Sequence, residues 1–134
     1  MNILVATDLT KPNENVLIKA QEIASAISAK LWIIHVVSPN QGFIGYEHAE
    51  LSQIGVLGYA IESQSNSENI RQFISNKLHE YHKKLQAKSA SIRNQGVETT
   101  ALMIQGAVAE MILKKAASLK VEMIVLGTQQ HSLL

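Results

Sequence analysis

Residues 3–10 read ILVATDLT. The first five form an unbroken stretch with Ile and Val, and the acid Asp8 follows directly. A strand with one wet face alternates polar and apolar residues; a continuous run bounded by a turn signal predicts a strand buried on both faces. Such a strand needs helices above and below it. The interruption Asp8-Leu9-Thr10-Lys11-Pro12 comes next. Thr10 or Asn13 is placed to cap a helix, and proline is tolerated in a first turn. Val16, Leu17, Ala20, Ile23, Ala24 and Ile27 then recur at steps of one, three and four, which is one helical face. Residues 31–37, LWIIHVV, predict a second buried strand after a loop of about four residues.

Residues 38–67 are less regular. They hold Pro39, the glycines Gly42, Gly45, Gly55 and Gly58, and the polar stretch ESQSNSEN, yet Phe43, Ile44, Leu51, Ile54, Val56, Leu57, Tyr59 and Ile61 are too apolar for a plain linker. This segment is expected to be a mobile excursion with one short helix, placed over the crevice or on a partner. Its glycines do not make a phosphate loop, because a dinucleotide fingerprint follows a strand and opens a helix within one compact unit. Ile70, Phe73, Ile74, Leu78, Tyr81 and Leu85 predict a long helix from residues 67–68 to Ile92, stopped before Gly96. Residues 98–104 predict a third strand, broken by Gly106. Val108, Met111, Ile112, Ala116 and Leu119 mark a third helix, and residues 121–126 a fourth strand. The alternation is that of an α/β protein: an open parallel sheet with right-handed crossovers and helices on both faces.

The chain has 134 residues, expected to form a single domain over 1–134. Its net charge of +1 calls for neither nucleic acid nor an anionic membrane, and 4% aromatic content leaves little for base stacking. It contains no cysteine, which removes disulfides, thiolate metal sites and cysteine nucleophiles from consideration. The first residues lack the basic start and apolar length of a signal peptide, and no run reaches the length of a membrane span. A cytoplasmic location is the resulting expectation.

In open parallel sheets ligands bind beyond the carboxyl ends of the strands. That rule selects Asp8 after the first strand, residues 35–37 at the end of the second, Gly106 after the third, and Gly127 and Thr128 after the fourth. Asp8 can accept hydrogen bonds from ribose hydroxyls or act as a turn residue. Backbone amides near Gly127 can receive phosphate. His35 lies in an apolar strand and reads as a core histidine hydrogen-bonded locally. His79 and His82 are spaced to share a helix face, but without an evident third ligand they read as solvated and no metal site is expected. Met103, Met111 and Met123 fall at core positions. No nucleophile–base–acid set and no paired carboxylates emerge, so the chain is not expected to be an enzyme.

ILVATDLT with its alanine-bearing helix, LWIIHVV, GAVAEMILKKA and VEMIVLGT, in this order and spacing, resemble the universal stress protein family. The resemblance implies a Rossmann-like five-stranded parallel sheet of order 3-2-1-4-5, a homodimer, and membership of a family divided into ATP binders and non-binders. It also implies that Asp8 meets the ribose, Val36 touches adenine, and Gly127 and Thr128 lie near the phosphates. Ala6, Thr7, Gly106 and Leu126 complete the implied site. The ATP binders' signature after strand four is a glycine, two residues, a glycine, nine residues, then a glycine and a small hydroxyl residue. Gly127 matches the first glycine, Gln130 stands in the second position, and the remainder would fall beyond Leu134. Ala6 stands where many members carry proline. The chain is accordingly expected to be C-terminally truncated, without the fifth strand and last helix, leaving strand four as an edge that a second copy covers. The implied function is a regulatory or protective binding protein holding ATP or AMP between strands one and four. The alternative is a nucleotide-independent dimeric interaction protein. An ATP-cleaving enzyme of related fold would need a pyrophosphate loop, and DLTKPN lacks its glycines and serines.

Overall fold

A computed structural model describes residues 1–10, 13–37 and 64–127. The elements are β1 (Asn2–Ala6), α1 (Glu14–Ala26), β2 (Lys30–Val37), α2 (Gln64–Asn94), β3 (Thr99–Gln105), α3 (Val108–Ser118) and β4 (Met123–Val125). All three strand pairs are parallel and the sheet order is β3-β2-β1-β4. This is the expected order without a fifth strand among the described residues. β1 lies in the middle of the sheet, paired with β2 through Ile3↔Leu31 and Val5↔Ile33 and with β4 through Leu4↔Ile124. Because every pair is parallel, the carboxyl ends of all four strands reach the same end of the sheet.

The continuous apolar runs are used as a doubly covered sheet requires. Ile3, Val5, Leu31 and Ile33 pack with Leu17, Ala20 and Ala24 of α1 and with Leu85 and Ile92 of α2. On the other face Leu4, Ile34 and Val36 meet Ile112 and Ala116 of α3. Among the described residues one face thus carries two helices and the other one. Arg93 at the end of α2 donates from Nη1 to Ser89 Oγ at 2.6 Å and to the Thr99 carbonyl at 3.0 Å, tying that helix to the start of β3. No helix among the described residues is long and apolar enough to cross a membrane.

All three helices end in the same way. Ser28 follows α1 at φ 54°, Gly96 follows α2 at φ 95°, and Lys120 follows α3 at φ 52°. In each case the next amide reaches back five residues: Ala29 to Ala24, Val97 to Ile92, Val121 to Ala116. This is the Schellman arrangement, which satisfies helix-terminal carbonyls and turns the chain at once into a strand.

Several boundaries differ from the expected ones. α2 begins at Gln64, so the last four residues assigned to the excursion are helical; residues 38–63 lie outside the described residues. β4 spans three residues where six were expected. Met123, expected in the core, is 40% exposed. The reason is position: among the described residues β4 pairs with β1 alone, and Met123 opens this edge strand with no element beyond it. Asn13 stands at the N-cap of α1 but makes no side-chain capping bond. Thr10, the other capping candidate, is taken up by Asp8, as the site shows.

Candidate functional site

The site is built where β1 and β4 end side by side. Thr7 is the first residue past β1. Its amide donates to the Ile34 carbonyl at 3.0 Å, extending the β1–β2 pairing by one step. The chain then turns. The Leu9 amide donates to Thr7 Oγ1 at 3.1 Å. The Thr10 amide and hydroxyl both donate to Asp8 Oδ1, at 2.9 and 2.5 Å. Asp8 is therefore an Asx-type turn residue, the structural role that competed with ribose binding. A carboxylate accepts about four hydrogen bonds, so the turn uses part of its capacity. Leu9 is held at φ 63°, a left-handed conformation that costs roughly 1–2 kcal/mol for a residue with a branched side chain. The turn bonds and the packing of Leu9 against the core offset that strain.

Beyond this turn lies an open cavity of about 340 Å³, at the lower end of the ~300–1,000 Å³ usual for small-ligand sites. Ala6, Thr7 and Asp8 line it from β1 and its turn, Val36 from β2, and Leu126 and Gly127 from the exit of β4. These six are expected site residues, brought together from three distant parts of the sequence. Ile34, Asn13, Val108 and Ile112 line it as well and were not anticipated. Val108 and Ile112 are one helical turn apart on α3; their spacing was legible as core periodicity, but nothing local shows that the first turn of α3 faces the cavity. The walls are mainly aliphatic, with the acid at one side.

Gly127 has a packing reason to be glycine. A Cβ there would stand 2.6 Å from Val16 Cγ2 and 3.3 Å from Asn13 Oδ1, so the exit of β4 is pressed against the first turn of α1. Gly106 does not line the cavity. It adopts φ 150°, its amide donates to the Val37 carbonyl at 3.0 Å, and a Cβ would meet Met111 Cγ at 2.6 Å. Thr128 lies outside the described residues.

His35 is fully buried, as a core histidine should be. Its Nδ1 lies 2.9 Å from the Thr7 carbonyl oxygen, and its ring meets Tyr81 edge-on, with centroids 5.6 Å apart. Burial pushes its pKa below the ordinary 6.5, against the raising influence of the Thr7 carbonyl and Asp8. His79 and His82 are exposed and border a shallow cleft with Met103. Among the described residues no three His, Cys, Asp or Glu side chains gather as metal ligands do.

The model of the Universal stress protein family matches residues 1–134. No curated protein matches the chain. Solved structures resemble it in fold. A universal stress protein family member from Burkholderia pseudomallei is 22% identical, with a TM-score of 0.64 over 95% of this chain and 80% of that one. UspA from Lactobacillus plantarum is 15% identical, with a TM-score of 0.69 over 100% of this chain and 83% of its own. The universal stress protein from Archaeoglobus fulgidus in complex with dAMP is 19% identical, with a TM-score of 0.60 over 95% and 80%.

Proposed function

The chain belongs to the universal stress protein family, and we propose that it is a cytoplasmic regulatory or protective binding protein that holds an adenine nucleotide without turning it over. The observation that carries this reading is the meeting of Asp8, Val36 and Gly127 around one cavity at the carboxyl end of the sheet. Ribose belongs beside Asp8, adenine among Val36, Ile34 and the α3 residues Val108 and Ile112, and phosphate beside Gly127. The complex of the Archaeoglobus fulgidus protein with dAMP supports the ligand class.

A monophosphate suits this chain better than ATP. Gln130 occupies the position of the signature's second glycine, and a side chain there replaces the close backbone approach that a longer phosphate tail needs. AMP should therefore raise the melting temperature, and ATP should raise it no further. A ligand that binds only the folded state stabilises it by about 2.7 kcal/mol at a hundredfold excess over Kd, which amounts to several degrees for a chain of this size. Unchanged melting with AMP at millimolar concentration would contradict the reading.

A second reading, a nucleotide-independent homodimer, is favoured by the exposure of Met123 and Ile124 on β4 and of Leu126 just past it. An edge strand with apolar side chains in water invites pairing with another copy. The melting response to AMP separates the two readings, and sedimentation at high protein concentration tests the dimer itself, since a strict monomer removes it.

A further inference from the structure

A buried imidazole has to be explained, because an aliphatic side chain would fill the same space without a polar group to satisfy. His35 sits at the carboxyl end of β2 under α2, fully buried. The Thr7 carbonyl only accepts hydrogen bonds, so the contact at 2.9 Å requires the proton on Nδ1. Thr7 is itself the hinge between sheet and cavity. Its amide is fixed to Ile34, its hydroxyl receives the Leu9 amide, and its carbonyl receives His35. The next residues hold Leu9 in the left-handed region and fold Thr10 onto the Asp8 carboxylate. A strained residue beside a cavity persists only where its surroundings over-determine it. Here the innermost support is the imidazole, which is in turn braced by the Tyr81 ring at 69° to its own plane.

We propose that His35 is a positioning residue for the cavity: by holding the Thr7 carbonyl it keeps the strained turn that presents Asp8 to the ligand, and through Tyr81 it ties that turn to helix α2. This rests on the nucleotide reading for the identity of the ligand, but the state of the turn can be read without one. A histidine that merely filled the core would be replaceable by leucine with the turn unchanged.

The test uses the full chain. Imidazole ¹⁵N spectra near pH 7.5 should show His35 as the Nδ1–H tautomer; the Nε2–H tautomer overturns the proposal. His35→Asn places a donor N–H near the Nδ1 position, whereas His35→Leu keeps bulk and removes the donor. In His35→Leu the Leu9 and Thr10 amides should exchange roughly tenfold faster and AMP affinity should fall about tenfold, the scale of one lost buried hydrogen bond. His35→Asn should return both to within about threefold of the wild-type values, a rescue that a space-filling role would not produce. A folded His35→Leu with wild-type exchange at Leu9 and Thr10 overturns the proposal. Should that variant fail to fold, Tyr81→Leu removes the ring that braces the imidazole; faster exchange at Thr10 supports the proposal and unchanged exchange overturns it. If AMP does not bind the wild type while the turn amides respond as described, the nucleotide reading fails and the positioning role stands.

Discussion

At the scale of single residues, two positions carry more than their sequence context announces. Gly127, expected near the phosphates, also meets a steric demand: Val16 leaves no room for a Cβ. Gly127→Ala should cost about 1–3 kcal/mol, the usual penalty of overpacking, measurable as a lower urea midpoint with an unchanged slope. The same variant should weaken AMP binding, because relief of the clash moves the cavity wall. His35 sets a pH dependence. Its folded pKa lies below the ordinary 6.5 through burial, so below about pH 6.5 the unfolded chain takes up a proton that the folded chain refuses. The contribution of neutral His35 is complete above that pH and is lost progressively as pH falls toward the lowered folded value. Unfolding free energies from urea titrations should therefore decline from about pH 6.5 toward pH 5 with a slope of up to about 1.4 kcal/mol per pH unit from this group. His35→Leu should show a shallower decline, and an identical one would count against the assignment.

At the scale of elements, the helices and strands were legible because their side-chain periods are unambiguous. The alanine face of α1 and the stripe through Tyr81 and Leu85 on α2 are buried where the pattern put them. Leu85, 1% exposed, bridges α2 to the sheet, and Leu85→Ala should cost about 2–5 kcal/mol in chemical unfolding. The ends of elements were less legible, for physical reasons. Gly96 announces its turn, but Ser28 and Lys120 take the same left-handed conformation without being glycine; tertiary pairing of the next strand imposes it. Lys120→Gly should raise stability by about 0.5–1 kcal/mol, since glycine escapes most of the left-handed penalty but loses more chain entropy on folding. A fall in stability on that substitution would mean that the lysine side chain does something the backbone account omits. β4 was read as longer because apolarity alone marked its ends, whereas its ladder is limited to the three positions opposite Ile3, Leu4 and Val5.

At the scale of the whole molecule, alternation and the right-handed crossover rule predict a parallel sheet covered on both faces, the family resemblance implies the strand order, and β3-β2-β1-β4 is observed among the described residues. That topology is what turns scattered residues into a site. Asp8, Val36 and Gly127 could be nominated because each follows or ends a strand, but Asn13, Val108 and Ile112 join them only through the packing of α1 and α3 against the strand ends. No local signal in the sequence separates those residues from ordinary helix positions. The most direct test is an amide ¹H–¹⁵N map of the protein as AMP is added. The account predicts shifts at Ala6, Thr7, Asp8, Val36 and Gly127, with Asn2, Leu31 and Thr99 at the opposite end of the same strands unmoved. A map that stays still under millimolar AMP, or that moves only at the amino ends of the strands, would contradict it.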